Sequence, residues 1–69
     1  MAEILWDRST NPARYVSERL GIEEWELRAA IHTIKRRSGL SGADHVIIYT
    51  DGKVTDEHGE DLGNIHDEV

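Results

Sequence analysis

The sequence predicts an α+β domain in which two N-terminal helices, the second long, pack on a three-stranded antiparallel β-meander. Two observations predict it. Between residues 23 and 38, Leu27, Ala30, Ile31, Ile34 and Ser38 recur at i, i+3, i+4, i+7 and i+11, one stripe of a 3.6-residue helix that must face a core. From His45 onward the chain turns β-branched and is punctuated by Asp-Gly and His-Gly corners, the composition of strands joined by tight turns. A chain of 69 residues holds one such domain, with a helical part over 11–38 and the meander over 45–65.

The elements follow in order. Ile4 to Trp6 is a short apolar run within 1–10 that reads equally as a short strand or as a packed tail. Asn11-Pro12 suits a helix start, Asn as N-cap and Pro at the first helical position, where its missing N–H costs nothing. A helix over 12–20 then turns Tyr15, Val16 and Leu20 to the core, and Gly21 ends it with Ile22 packing back. In the helix over 23–38 acids open the first turn and Lys35, Arg36 and Arg37 close the last, following the helix dipole, and Gly39 stops it. After a glycine-rich loop, a strand over 45–50 leads to a two-residue type I′ turn at Asp51-Gly52 and a strand from Lys53 to Asp56. A three-residue turn, Glu57-His58-Gly59, lets Leu62 share a face with Val54, and residues 66–69 fray. The expected core is Leu27, Ile31, Ile34, Val46, Ile48 and Val54.

Composition removes several functions. With no cysteine, neither a disulfide framework nor a thiolate zinc site is possible. No apolar run reaches the ~20 residues of a membrane span, and no signal-peptide pattern appears, so the chain as written reads as soluble and cytoplasmic, or as secreted within a larger protein. The net charge of −6 is uneven: residues 1–40 carry seven Lys or Arg against six acids, whereas residues 41–69 carry Lys53 against eight acids. A near-neutral half with a local basic cluster can steer a phosphate to one face.

That cluster is Arg28, His32, Lys35 and Arg36, which a helical wheel gathers on one flank with Trp25 and Ala29 at its border. Read plainly it is a solvated helix flank. Metal binding by His45, His58 and His66 with the nearby acids finds no ligand spacing to support it, and no cofactor is implied. A helix-turn-helix DNA-binding module is suggested by Val16, Ser17, Leu20-Gly21-Ile22, Leu27 and Ile31. Its recognition helix would, however, begin with Glu23, Glu24 and Glu26, which repel phosphates.

Taken together, Leu20-Gly21-Ile22, Leu27, Ala30-Ile31-His32-Thr33-Ile34-Lys35, Gly39-Leu40-Ser41-Gly42-Ala43-Asp44, Asp51 to Asp56 and Gly59 to Ile65 resemble the C-terminal tip domains of bacterial polymorphic toxins. The resemblance covers about residues 20–66 in order. It implies a domain at the end of a large secreted or cell-surface protein, neutralised by an immunity protein, and extends to the barnase, colicin D and RelE type of ribonuclease. The helical His and Lys of that family fall on His32 and Lys35, its Gly-x-Asp turn on Gly42 and Asp44, and its Ile-Gly-Asn on Leu62, Gly63 and Asn64. Thr55 stands where the family has Tyr, and residues 51–68 are acidic, which does not help to hold RNA. A metal-independent ribonuclease of this kind would use His32 as acid or base, His45 or Tyr49 as its partner near the sheet edge, and Arg28, Lys35 and Arg36 on the RNA phosphate. The alternative is a non-catalytic module whose acidic sheet surface takes a basic protein partner.

Overall fold

The computed structural model describes residues 2–7 and 11–69. The remaining part of the 1–10 stretch, Met1 and residues 8–10, lies outside the described residues. Within them run β1 (Ile4–Asp7), α1 (Ala13–Leu20), α2 (Glu24–Arg37), β2 (Val46–Tyr49), β3 (Lys53–Asp56), β4 (Asp61–Asn64) and a short 3₁₀ helix, Ile65–Asp67. Helices and antiparallel sheet make the α+β class that the sequence predicts. The sheet, however, has four strands in the order β1-β2-β3-β4 rather than three. The extra strand is the apolar run Ile4 to Trp6, which pairs along β2 with Ile4 opposite Tyr49 and Trp6 opposite Ile48. β2 is therefore an inner strand, and His45 and Tyr49 do not lie at the sheet edge.

Both outer strands carry one residue more than their partners across a single step. On β1 the extra residue is Leu5, between the Ile4–Tyr49 and Trp6–Ile48 pairs. On β4 it is Leu62, between the Thr55–Asp61 and Val54–Gly63 pairs. Each is a β-bulge, and each leucine enters the core, Leu5 fully and Leu62 in part. Val54 thus stands opposite Gly63 rather than Leu62, although the corner has the expected three residues: Asp56 N–H donates to Glu60 O at 3.0 Å, and Gly59 has φ +86°. The Leu5 carbonyl accepts from Asn11 Nδ2 at 2.6 Å. Asn11 therefore ties the bulge to the start of α1 instead of capping the helix, and Pro12 occupies the N-cap position.

The helices end as their sequences dictate. Gly21 N–H donates to Glu18 O and Ile22 N–H to Ser17 O; Gly39 N–H donates to Arg36 O and Leu40 N–H to Lys35 O. Both are Schellman closures, with the glycine left-handed and the next apolar residue folded back. At the start of α2 the Glu26 carboxylate reaches back 3.0 Å to Glu23 N–H, so one acid serves both the cap and the dipole.

The core joins Val16 and Leu20 of α1, Leu27, Ala30 and Ile34 of α2, and Leu5, Val46, Ile48, Val54 and Ile65. Burying each large aliphatic side chain contributes roughly 1.5–3 kcal/mol. Ile31 is only half-buried, Ser38 is exposed at the helix end, and Tyr15 is 39% exposed, held on the flank of α1 by Arg19 Nη1 at 2.8 Å. Ser17 takes the inward position, its hydroxyl donating to Arg14 O at 2.9 Å.

The first sheet corner differs from a two-residue turn. Gly52 N–H donates to Tyr49 O at 2.9 Å, so Thr50 and Asp51 are the central residues and Gly52, at φ +91°, is the residue that follows them. The segment expected to fray, 66–69, begins in an ordered 3₁₀ turn. Ile65 is fully buried, its N–H bonds Gly52 O at 2.8 Å, and Asn64 Oδ1 caps the 3₁₀ helix by accepting His66 N–H at 2.9 Å.

Candidate functional site

The cationic flank of α2 forms because Arg28, His32, Lys35 and Arg36 recur every three or four residues on the side away from the core stripe. Three of the four cations of α2 already have partners. Arg28 Nη2 lies 2.9 Å from Glu24 Oε1, Lys35 Nζ donates to Gly42 O at 3.1 Å, and Arg37 Nη2 lies 2.9 Å from Glu68 Oε2. Among the described residues the side chains of Arg36 and His32 have no hydrogen-bond or ion-pair partner, and both are exposed. Arg36, Arg37 and Thr33 line a surface hollow of about 290 Å³.

His45 is held differently. Its Nε2 is 2.6 Å from Asp7 Oδ1, which links the entrance of β2 to the end of β1, and the imidazole is largely buried. A carboxylate only accepts, so Nε2 is the donor to Asp7, and in a neutral imidazole Nδ1 then holds the lone pair. The Trp6 ring lies against the imidazole, with centroids 5.9 Å apart. Trp6 also shares a small apolar hollow with Ile31, and Lys35 reaches the loop that leads into His45. Through Lys35 the cationic flank of α2 thus touches the loop that leads into His45.

Tyr49 is not brought there. It lies at the far end of β2 from His45, and strand alternation sets it with Ile47 on the face opposite the buried Val46 and Ile48. Thr55 is buried, and its hydroxyl has no partner among the described residues.

The turn positions of the meander have structural employment. Asp44 Oδ2 accepts Ser41 N–H, Asp56 Oδ1 accepts the N–H groups of His58 and Glu60, and Asp61 Oδ1 accepts Gly63 N–H. Much of the acidity after residue 41 therefore serves turn geometry. Among the described residues no group of three His, Cys, Asp or Glu is placed to hold a metal ion. His45 and His58 do share a hollow of about 310 Å³ with Leu40, Ala43, Asp44, Asp56 and Glu57, whose acids disfavour an anion.

A further hollow, of about 250 Å³, lies between α2 and the chain end and is lined by Trp25, Glu26, Ala29, Glu68 and Val69. Trp25 is 69% exposed there, the most exposed large apolar side chain among the described residues. The sequence marked Trp25 and Ala29 only as the border of the cationic flank. The hollow itself depends on Glu68 and Val69, which no local pattern connects to α2.

No family model matches the chain, and neither the curated proteins nor the solved structures give a match.

Proposed function

We propose that the domain is a metal-independent ribonuclease of the kind that tips bacterial polymorphic toxins, with His45 and His32 as its proton-transfer pair. One observation supports this above the others: the Asp7–His45 hydrogen bond fixes the orientation of a largely buried imidazole, and Lys35 of the cationic flank reaches the loop that leads into it. An acid that fixes the tautomer of a base is the arrangement general base catalysis requires. In this reading His45 Nδ1 takes the proton of a ribose 2′-hydroxyl. The 2′-oxygen attacks phosphorus, the bond from phosphorus to the 5′-oxygen breaks, and protonated His32 gives its proton to that oxygen. The products are a 2′,3′-cyclic phosphate and a 5′-hydroxyl. Lys35, Arg36 and, once released from Glu24, Arg28 balance the charge on the pentacoordinate phosphate. The phosphate approaches from the α2 side, because the acids of the hollow below His45 repel it. Tyr49, at the far end of β2 from His45, has no part in this scheme.

The test is RNA cleavage in EDTA by the parent domain and by His32→Ala and His45→Ala, each checked for folding by circular dichroism. The parent should release cyclic-phosphate ends, and each substitution should slow cleavage roughly 10²–10⁴-fold. Folded variants that cleave as the parent does would remove the assignment. In cells the parent should arrest growth, and an immunity protein should relieve the arrest.

A further inference from the structure

We infer that the row Trp25, Ala29, Thr33, Arg37 along α2 is a track for single-stranded RNA, with an unpaired nucleobase in the Trp25 hollow and a backbone phosphate in the Arg36–Arg37 hollow. The inference rests on the ribonuclease reading above and names the form of its substrate.

The four residues stand at successive i, i+4 positions, so the two hollows lie along one flank of α2, about two turns or ~11 Å apart. Their linings are chemically opposite. The hollow at Thr33, Arg36 and Arg37 offers guanidinium donors, Arg36 being unpartnered among the described residues. The hollow at Trp25 offers an exposed indole, the small Ala29 and the apolar Val69, with the carboxylates of Glu26 and Glu68 and no cation. A phosphate is repelled from the second. A flat ring carrying N–H donors suits it, because the indole supplies a stacking face and a carboxylate accepts from amino and imino groups on a base edge. Glu26 Oε1 is taken by Glu23 N–H and Glu68 Oε2 by Arg37, which leaves one oxygen of each acid for that purpose. The Arg37–Glu68 pair forms the wall between the two hollows, so one ion pair orients an acceptor toward the base and a donor toward the phosphate.

A basic side chain from a protein partner also fits an indole beside two acids. Arg36 and Arg37 lie in its path about three turns beyond Trp25, and their charge opposes such a partner but attracts a polynucleotide. A base in a duplex is stacked and cannot enter, so the track selects single strands.

Binding of a fluorescent, mixed-sequence single-stranded oligoribonucleotide to the His32→Ala domain tests this in EDTA, alongside the same sequence as a duplex and an arginine-rich peptide. Adding Trp25→Ala should weaken single-strand binding roughly tenfold, as loss of one stacked base does, whereas Trp25→Phe should retain most of it. The exposed position of Trp25 makes either variant safe for the fold. Duplex binding should be weaker and indifferent to Trp25. Equal affinities for Trp25→Ala and its parent, equal binding of single strand and duplex, or tight Trp25-dependent binding of the peptide would overturn the inference. A domain that cleaves RNA with kcat/KM unchanged by Trp25→Ala overturns it while leaving the ribonuclease reading intact. A domain that neither binds nor cleaves RNA removes both.

Discussion

Arg37 Nη2 reaches Glu68 Oε2 at 2.9 Å by passing over Gly63, where an added Cβ would lie 3.0 Å from the same nitrogen. The glycine therefore has two reasons to be there. Its φ of +141° is closed to most side chains, and its bare backbone lets α2 and the chain end meet above β4.

Glycine substitutions should rank by what surrounds them. Gly52→Ala adds a Cβ 2.6 Å from both Asn64 Oδ1 and His66 Cδ2 at φ +91°, whereas Gly59→Ala at φ +86° meets nothing within 4 Å. Gly59→Ala should cost the backbone strain alone, about 1–2 kcal/mol, and Gly52→Ala about 1–2 kcal/mol more for displacing the Asn64 cap. Gly63→Ala should fall between. Urea denaturation of the three variants gives the order, and equal losses would mean that only φ matters.

The core should respond to burial as observed. Ile34 is fully buried and Ile31 half-buried, so Ile34→Ala should cost about 2–5 kcal/mol and Ile31→Ala about half as much. Against the 5–15 kcal/mol that holds an ordinary domain together, the first leaves much of the protein unfolded at 37 °C. Thermal melts followed by far-ultraviolet circular dichroism distinguish the two.

Asn11→Ala removes the donor to the Leu5 carbonyl and should cost about 0.5–1.5 kcal/mol. The loss should be local first: the Thr50 amide, which donates to Glu3 O across β1 and β2, should exchange with solvent faster while the β3 amides keep their protection. Uniform acceleration across the sheet would show that Asn11 acts on the whole fold.

Under the ribonuclease proposal, salt should report how many of the α2 cations meet RNA. Engagement of Lys35, Arg36 and one further cation gives a slope of log K against log salt near −2 for a single strand, and Arg36→Gln should lower it by about 0.7. A slope unmoved by Arg36→Gln places the RNA elsewhere.

Much of this fold was legible because helices and hairpins are written locally. The stripe of α2, the two glycine closures and the meander all follow from residues within a few positions of one another. What escaped depends on distance along the chain. β1 is four residues long, and only its pairing with β2 makes it a strand; Asn11 reads as a cap until the Leu5 carbonyl is beside it. Ile65 anchors a segment whose polar sequence alone suggests a loose end. The candidate site divides in the same way. His32, Lys35 and Arg36 share a flank by periodicity, but the partner of His45 is Asp7, 38 positions earlier, and the hollow at Trp25 closes only against Glu68 and Val69. His45 and Tyr49 read alike as residues near a sheet edge, and the pairing of β1 along β2, which no local pattern announces, removes that edge.

The inward-turned leucines of β1 and β4 bear on how this chain behaves in company. A sheet grows by docking a further chain along a straight run of free N–H and C=O groups at its rim. At Leu5 and Leu62 that run is kinked on both rims, and at Leu5 the loose carbonyl is already taken by Asn11. Copies crowded together, or refolding side by side, find no ready template in each other, and the domain should stay dispersed at concentrations where a flat four-stranded sheet would build fibres.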